Sequence, residues 1–124
     1  MAGTLTISTL SDGTNSTSST NCIQGSAKAW VNFNGVGTPA IRSSYNVGSV
    51  TKSGTGIFQI NFTNAMPDAN YSASGTSHYP GTASTTITAP YGFGSSTTSI
   101  PIGVLVIDTG ALIDASYVSL QIFR

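Results

Sequence analysis

Ala27-Lys28-Ala29-Trp30-Val31-Asn32-Phe33-Asn34-Gly35 is the stretch on which the reading of the fold turns. With a two-residue period, Ala27, Ala29, Val31 and Phe33 share one face, and Lys28, Trp30, Asn32 and Asn34 share the other. The segment therefore reads as a strand that ends in a glycine turn. One face belongs to a core. The other is polar except for the chain's single Trp, a large ring that wants cover from another sheet or another subunit.

Outward from this strand the same pattern recurs. Ile57-Phe58-Gln59-Ile60-Asn61-Phe62 alternates cleanly, with Phe58, Ile60 and Phe62 on one side. Ile41 to Val50 alternates through Ile41, Tyr45, Val47 and Val50, and Lys52-Ser53-Gly54-Thr55-Gly56 is a hairpin turn by its glycines. Pro67, Asp68 and Asn70 break the pattern with turn chemistry. Strands resume over Tyr71 to Ser77, the Thr-rich run Thr82 to Ala89, Ile100 to Ile107 and Tyr117 to Phe123. The spacing predicts an all-β chain, an antiparallel β-sandwich of about seven or eight short strands, and no helix.

Composition agrees. The 124 residues form one domain, large enough to bury roughly two-thirds of the surface of the unfolded chain. Ser and Thr make up nearly a third of the residues, and Gly and Asn are plentiful, which disfavours helices. Asp12, Asp68, Asp108 and Asp114 balance Lys28, Lys52, Arg42 and Arg124. So little charge favours association of the subunits, and four scattered cations make no surface for nucleic acid.

Residues 1–25 read as an N-terminal arm ahead of a sandwich domain over 26–124. Thr4 to Leu10 alternates as a short strand with Leu5 and Ile7 on one side. Ser11 to Gly25 holds only Cys22 and Ile23 as apolar points, too few to order itself, so the arm is expected to pack on a neighbour or a larger structure. Met1 to Leu5 shows neither the basic nor the apolar region of a secretion signal, and the most apolar run, Ile100 to Ile107, is too short to span a bilayer. Cys22 is the lone cysteine, which leaves no internal disulfide.

No catalytic residue is expected. The four Asp lie apart in turns, and His78, the sole imidazole, stands between Ser77 and Tyr79 in a loop. One His and one Cys cannot complete a metal cluster, and no cofactor is expected. Sequons at Asn15, Asn61 and Asn70 follow from the Ser/Thr content. Tyr79, Tyr91 and Phe93 lie in Gly/Pro-rich turns, where rings beside hydroxyls and amides could stack on sugar or cap the end of the sandwich. Leu5, Ile7 and Trp30 are the expected subunit contacts.

The run Gly25-Ser26-Ala27-Lys28-Ala29-Trp30-Val31-Asn32-Phe33-Asn34-Gly35 resembles a module of tailed-bacteriophage structural proteins of the tail-fibre type. The resemblance continues through Ala40-Ile41-Arg42-Ser43-Ser44-Tyr45-Asn46-Val47, Ser49-Val50-Thr51 and Gly54-Thr55-Gly56. It ends with Ile60-Asn61-Phe62-Thr63-Asn64-Ala65-Met66-Pro67-Asp68-Ala69-Asn70-Tyr71. It covers residues 25–71, and Leu5 to Gly25 is similar to leaders placed before the module. It implies a non-enzymatic virion protein, made in the host cytoplasm and typically a homotrimer. Its partners would be its own copies, tail or baseplate proteins and host surface glycan. A capsid decoration protein bound to the major capsid protein is the alternative, and a free carbohydrate-binding module the third. No nucleic acid and no membrane insertion are expected.

Overall fold

Two four-stranded antiparallel sheets pack face to face in the computed structural model, which describes residues 3–92 and 94–124. The first sheet runs β4 (Ala40–Tyr45), β3 (Ala27–Asn34), β10 (Tyr117–Phe123), β7 (Ser72–His78). The second runs β5 (Val47–Gly54), β6 (Ile57–Phe62), β9 (Ser99–Val106), β8 (Thr85–Thr88). The chain is an all-β sandwich, and the strand alternation places its core. Ala29, Val31 and Phe33 of β3 and Val118, Leu120 and Ile122 of β10 are buried from one side. Phe58, Ile60, Ile100, Ile102 and Val104 meet them from the other. Phe33 and Phe58 touch edge to face across the sheets, with centroids 5.2 Å apart. Each such side chain contributes about 1.5–3 kcal/mol by leaving water.

The expected strand from Ile41 to Val50 is in fact two, and they lie in different sheets. Asn46 alone separates them, in the left-handed region at φ 54°. Asn enters that region more readily than a β-branched residue, and its side chain secures the switch. Nδ2 donates to the Lys28 and Asn64 carbonyls at 3.2 and 3.1 Å, and Oδ1 accepts from the Asn64 amide at 2.8 Å. The β5–β6 turn closes on Gly56, at φ 66°, where a Cβ would come within 2.6 Å of the Ile113 amide nitrogen. Only Gly fits there.

Pro101 is buried in the middle of β9. Its carbonyl points away from β6 and accepts from the Tyr91 amide at 2.9 Å, so its missing donor also faces that side. There β8 has already ended, since it pairs with β9 only over Gly103 to Val106, and no ladder bond is lost.

Two ties fix the loops. Asp114 joins Lys52 at 2.5 Å and accepts from the Gly56 amide at 2.8 Å, while Lys52 also donates to the Gly37 carbonyl at 3.2 Å. Arg124 forks onto Asp68 through Nε at 3.0 Å and Nη2 at 2.5 Å.

The Ser/Thr/Asn run before β3 orders itself, contrary to the reading of its composition. β1 (Thr9–Ser11) and β2 (Ser16–Ser18) form a small hairpin, and α1 (Ser19–Gly25) follows as a short helix that hydrophobic periodicity did not predict. Local polar bonds replace burial. Asp12 Oδ1 accepts from the Thr14 and Asn15 amides at 3.0 and 2.7 Å, and the Ser18 hydroxyl caps α1 by accepting from the Asn21 amide. Lys28 donates to the Ile23 carbonyl at the end of the helix. The predicted strand over Thr4 to Leu10 shrinks to the edge of this hairpin.

Candidate functional site

The outer face of the β4-β3-β10-β7 sheet carries the largest exposed rings of the sandwich. Register sets its rows. Trp30 lies between Tyr45 on β4 and Gln121 on β10, with Ser74 of β7 beyond. In the next row Asn32 lies between Ser43 and Ser119, with Thr76 beyond, and further on Tyr117 pairs with His78. Cross-strand neighbours on one face have their Cβ atoms about 4.5–5.5 Å apart, so these side chains form one continuous surface. Trp30 is 36% exposed, Tyr45 59% and Tyr117 44%.

A register shift in the β3–β4 pairing, between Asn32 and Phe33, leaves Arg42 outside the ladder. Its guanidinium crosses to β10, 5.8 Å from the centre of the Tyr117 ring, and donates to the Ser116 carbonyl at 2.7 Å and the Asn32 Oδ1 at 3.5 Å. Asn32 Nδ2 is closed off from solvent with no partner. A buried donor left without an acceptor costs about 1–3 kcal/mol, so Asn32 is a local weak point of this sheet.

The opposite outer face, on the β5-β6-β9-β8 sheet, meets its own needs. Asn61 Nδ2 donates to Ser49 Oγ and Thr51 Oγ1 at 3.0 and 3.1 Å. Tyr91 folds its ring onto Gly103, where a Cβ would meet the ring at 2.5 Å. This is where the structure places one of the sequence-predicted ligand contacts. Tyr79 likewise lies over the backbone of Gly81 in its own turn, and Phe93 falls outside the described residues. Tyr79 and Tyr91 are each half-buried.

Leu5 and Ile7 come together with Leu10, Cys22 and Ile23 around an arm groove of about 370 Å³. Leu5 is 81% exposed, so the groove is apolar and open. Trp30 belongs to the sheet face and not to this groove. A wider recess of about 580 Å³ lies between the 37–39 turn and β5, but the Lys52 in its wall is already paired.

The ionisable groups act as anchors. The Arg124 fork holds the Asp68 carboxyl below its ordinary range. Partial burial opposes ionisation of Asp114, yet Lys52 and the Gly56 amide outweigh it, and its pKa is lowered too. Backbone amides of Asn15 and Thr14 do the same for Asp12. Burial raises the Tyr71 hydroxyl, which donates to the Ser96 and Ser99 carbonyls at 3.0 and 3.1 Å. Among the described residues, no three of His, Cys, Asp and Glu gather as a metal site, and no helix is long and apolar enough to cross a membrane. What the sheet face offers is stacking and hydrogen bonding.

Tyr45, Tyr117, Arg42 and Gln121 were not singled out by sequence. A signal existed: β10, like β3, alternates with rings among its polar residues, Tyr117 and Phe123 flanking Ser119 and Gln121. Compared with family models, curated proteins and solved structures, the chain matches none.

Proposed function

We propose that this chain is a non-enzymatic structural subunit of a tailed-bacteriophage virion, acting as a short tail-fibre or receptor-binding subunit. The observation that carries the reading is the pairing of an aromatic sheet face with an arm whose apolar residues Leu5, Leu10 and Ile23 stay exposed. Leu5 and Ile7 of the arm would attach the subunit to its copies, as a homotrimer, and to tail or baseplate proteins. The sheet face would remain free for the host surface. Resemblance over residues 25–71 supports the same reading, because that segment supplies β3 to β6, half of each sheet.

A capsid decoration protein is the second reading, favoured by shape. Strands of four to eight residues in two stacked sheets make a compact knob and no shaft. Quantitative mass spectrometry of purified virions tests both. Tens of copies per particle are expected for the fibre, hundreds would transfer the protein to the capsid, and absence from virions would overturn the proposal.

A further inference from the structure

We propose that the Asn34–Gly35 peptide is a self-modification site that the fold keeps shut, and that opening it converts the Asn34 amide to an acid and traps the chain outside its sandwich. It is the one place in the sequence where Asn precedes Gly. Such a pair is chemically labile. Glycine has no side chain to shield its amide nitrogen from the neighbouring carboxamide, and its backbone turns freely into the attacking geometry.

The chemistry needs only water. The Gly35 amide nitrogen gives its proton to hydroxide and attacks Cγ of Asn34. The N–Cγ bond forms, the Cγ–Nδ2 bond breaks, and Nδ2 leaves as ammonia with a proton taken from water. Water then opens the five-membered imide. Breaking the N–Cγ bond gives aspartate, and breaking the bond to the main-chain carbonyl gives isoaspartate, with one extra methylene in the chain.

Three contacts hold the pair away from that reaction. Asn34 ends β3 in register with Ala40 of β4. Ring closure needs its Cβ to eclipse the Gly35 nitrogen about the Cα–C bond, and the extended backbone of a strand holds it about 100° away. The Gly35 amide donates to the Ala115 carbonyl at 2.9 Å, so the nucleophile is engaged. The Asn34 Oδ1 accepts from the Val36 amide at 3.2 Å, so the carboxamide is held as well.

The fold cannot dispense with this glycine. A Cβ at Gly35 would stand 2.7 Å from Cζ of Phe58 and 3.0 Å from the Ala115 carbonyl oxygen. The same close seat separates the two products. An aspartate at position 34 keeps an oxygen for the Val36 amide. An isoaspartate lengthens the chain between Phe33, packed edge to face with Phe58, and Gly35, seated against the same ring. Nothing there gives room for the added methylene, so a chain that carries it does not close the sandwich again.

Attack requires the bond to Ala115 to break, and a segment anchored in the core opens only at a large share of the free energy of global unfolding. To test this, the full chain is held in mildly alkaline buffer, native and in concentrated urea. Peptide mapping by mass spectrometry separates the Asn, Asp and isoaspartate forms at position 34. Conversion should be at least about tenfold slower in the native chain. Phe58→Ala should speed it in native buffer by loosening the seat, and a low urea concentration should do the same to the wild-type chain. After urea is removed, unmodified chains and chains with aspartate should recover the native circular dichroism, as should Asn34→Asp, and chains with isoaspartate should not. Equal rates in native and unfolded chains would overturn the proposal. So would an Asn34 that stays intact in urea, or isoaspartate chains that regain the native spectrum.

Discussion

The two outer faces of the sandwich are built from the same alphabet and finished differently. On the β5-β6-β9-β8 sheet the chain covers itself: Tyr91 lies on Gly103, and Asn61 is satisfied by Ser49 and Thr51. On the β4-β3-β10-β7 sheet the rings of Trp30, Tyr45 and Tyr117 stay open, and Asn32 keeps a donor without an acceptor. A face completed by its own chain contributes to stability. The exposed rings of the other face are what it can offer to something outside the chain.

Substitutions can break or sharpen this contrast. The largest effect belongs to the core that both faces share. Phe58→Ala should cost about 3–5 kcal/mol in urea unfolding, because Phe58 is fully buried edge-on to Phe33, and it should weaken both sheets alike. The sharper comparison sets the two aromatic faces against each other. Tyr91→Ala should cost about 1–3 kcal/mol through lost packing on Gly103, whereas Trp30→Ala should stay within about 1 kcal/mol. Equal losses would erase the distinction between a covering ring and an offered one.

The end of the sandwich is next in magnitude. Asp114→Asn should cost about 1–2 kcal/mol at neutral pH by weakening the bonds to Lys52 and the Gly56 amide, since both partners of the ion pair are only about a quarter exposed, at 23% and 24%. The native pKa of Asp114 is lowered, so its stabilisation is fully present above the unfolded carboxylate value of about 3.9 and is lost as pH falls through the lower native value. Urea midpoints of the two proteins should therefore converge in acid. Smallest of all, removing residues 1–25 should change the stability of the sandwich by no more than about 0.5 kcal/mol, because the hairpin and α1 bond chiefly to one another.

Much of the fold was readable because alternation is a local signal. Ala27 to Asn34, Ile57 to Phe62 and Tyr117 to Phe123 form the strands their period announces. Two features escaped it. Asn46 turns an apparently continuous strand from one sheet to the other through its own backbone conformation, which leaves no mark on the hydrophobic pattern. The helix at Ser19–Gly25 is held by a Ser18 cap and by Lys28, with no buried stripe to betray it. The candidate face was half legible. Trp30 stood out on the polar side of its strand, but its partners Tyr45, Gln121 and Tyr117 reach the same surface through strand pairing, and Gln121 and Tyr117 come from the far end of the chain. Single-strand periodicity cannot see that.

The working-face claim is tested most directly by competition for adsorption. Host cells are treated with saturating purified protein before the phage proposed to carry it is added. Wild-type protein should suppress adsorption, and Trp30→Ala, folded but with its platform removed, should not. Adsorption unchanged by saturating wild-type protein would contradict the account.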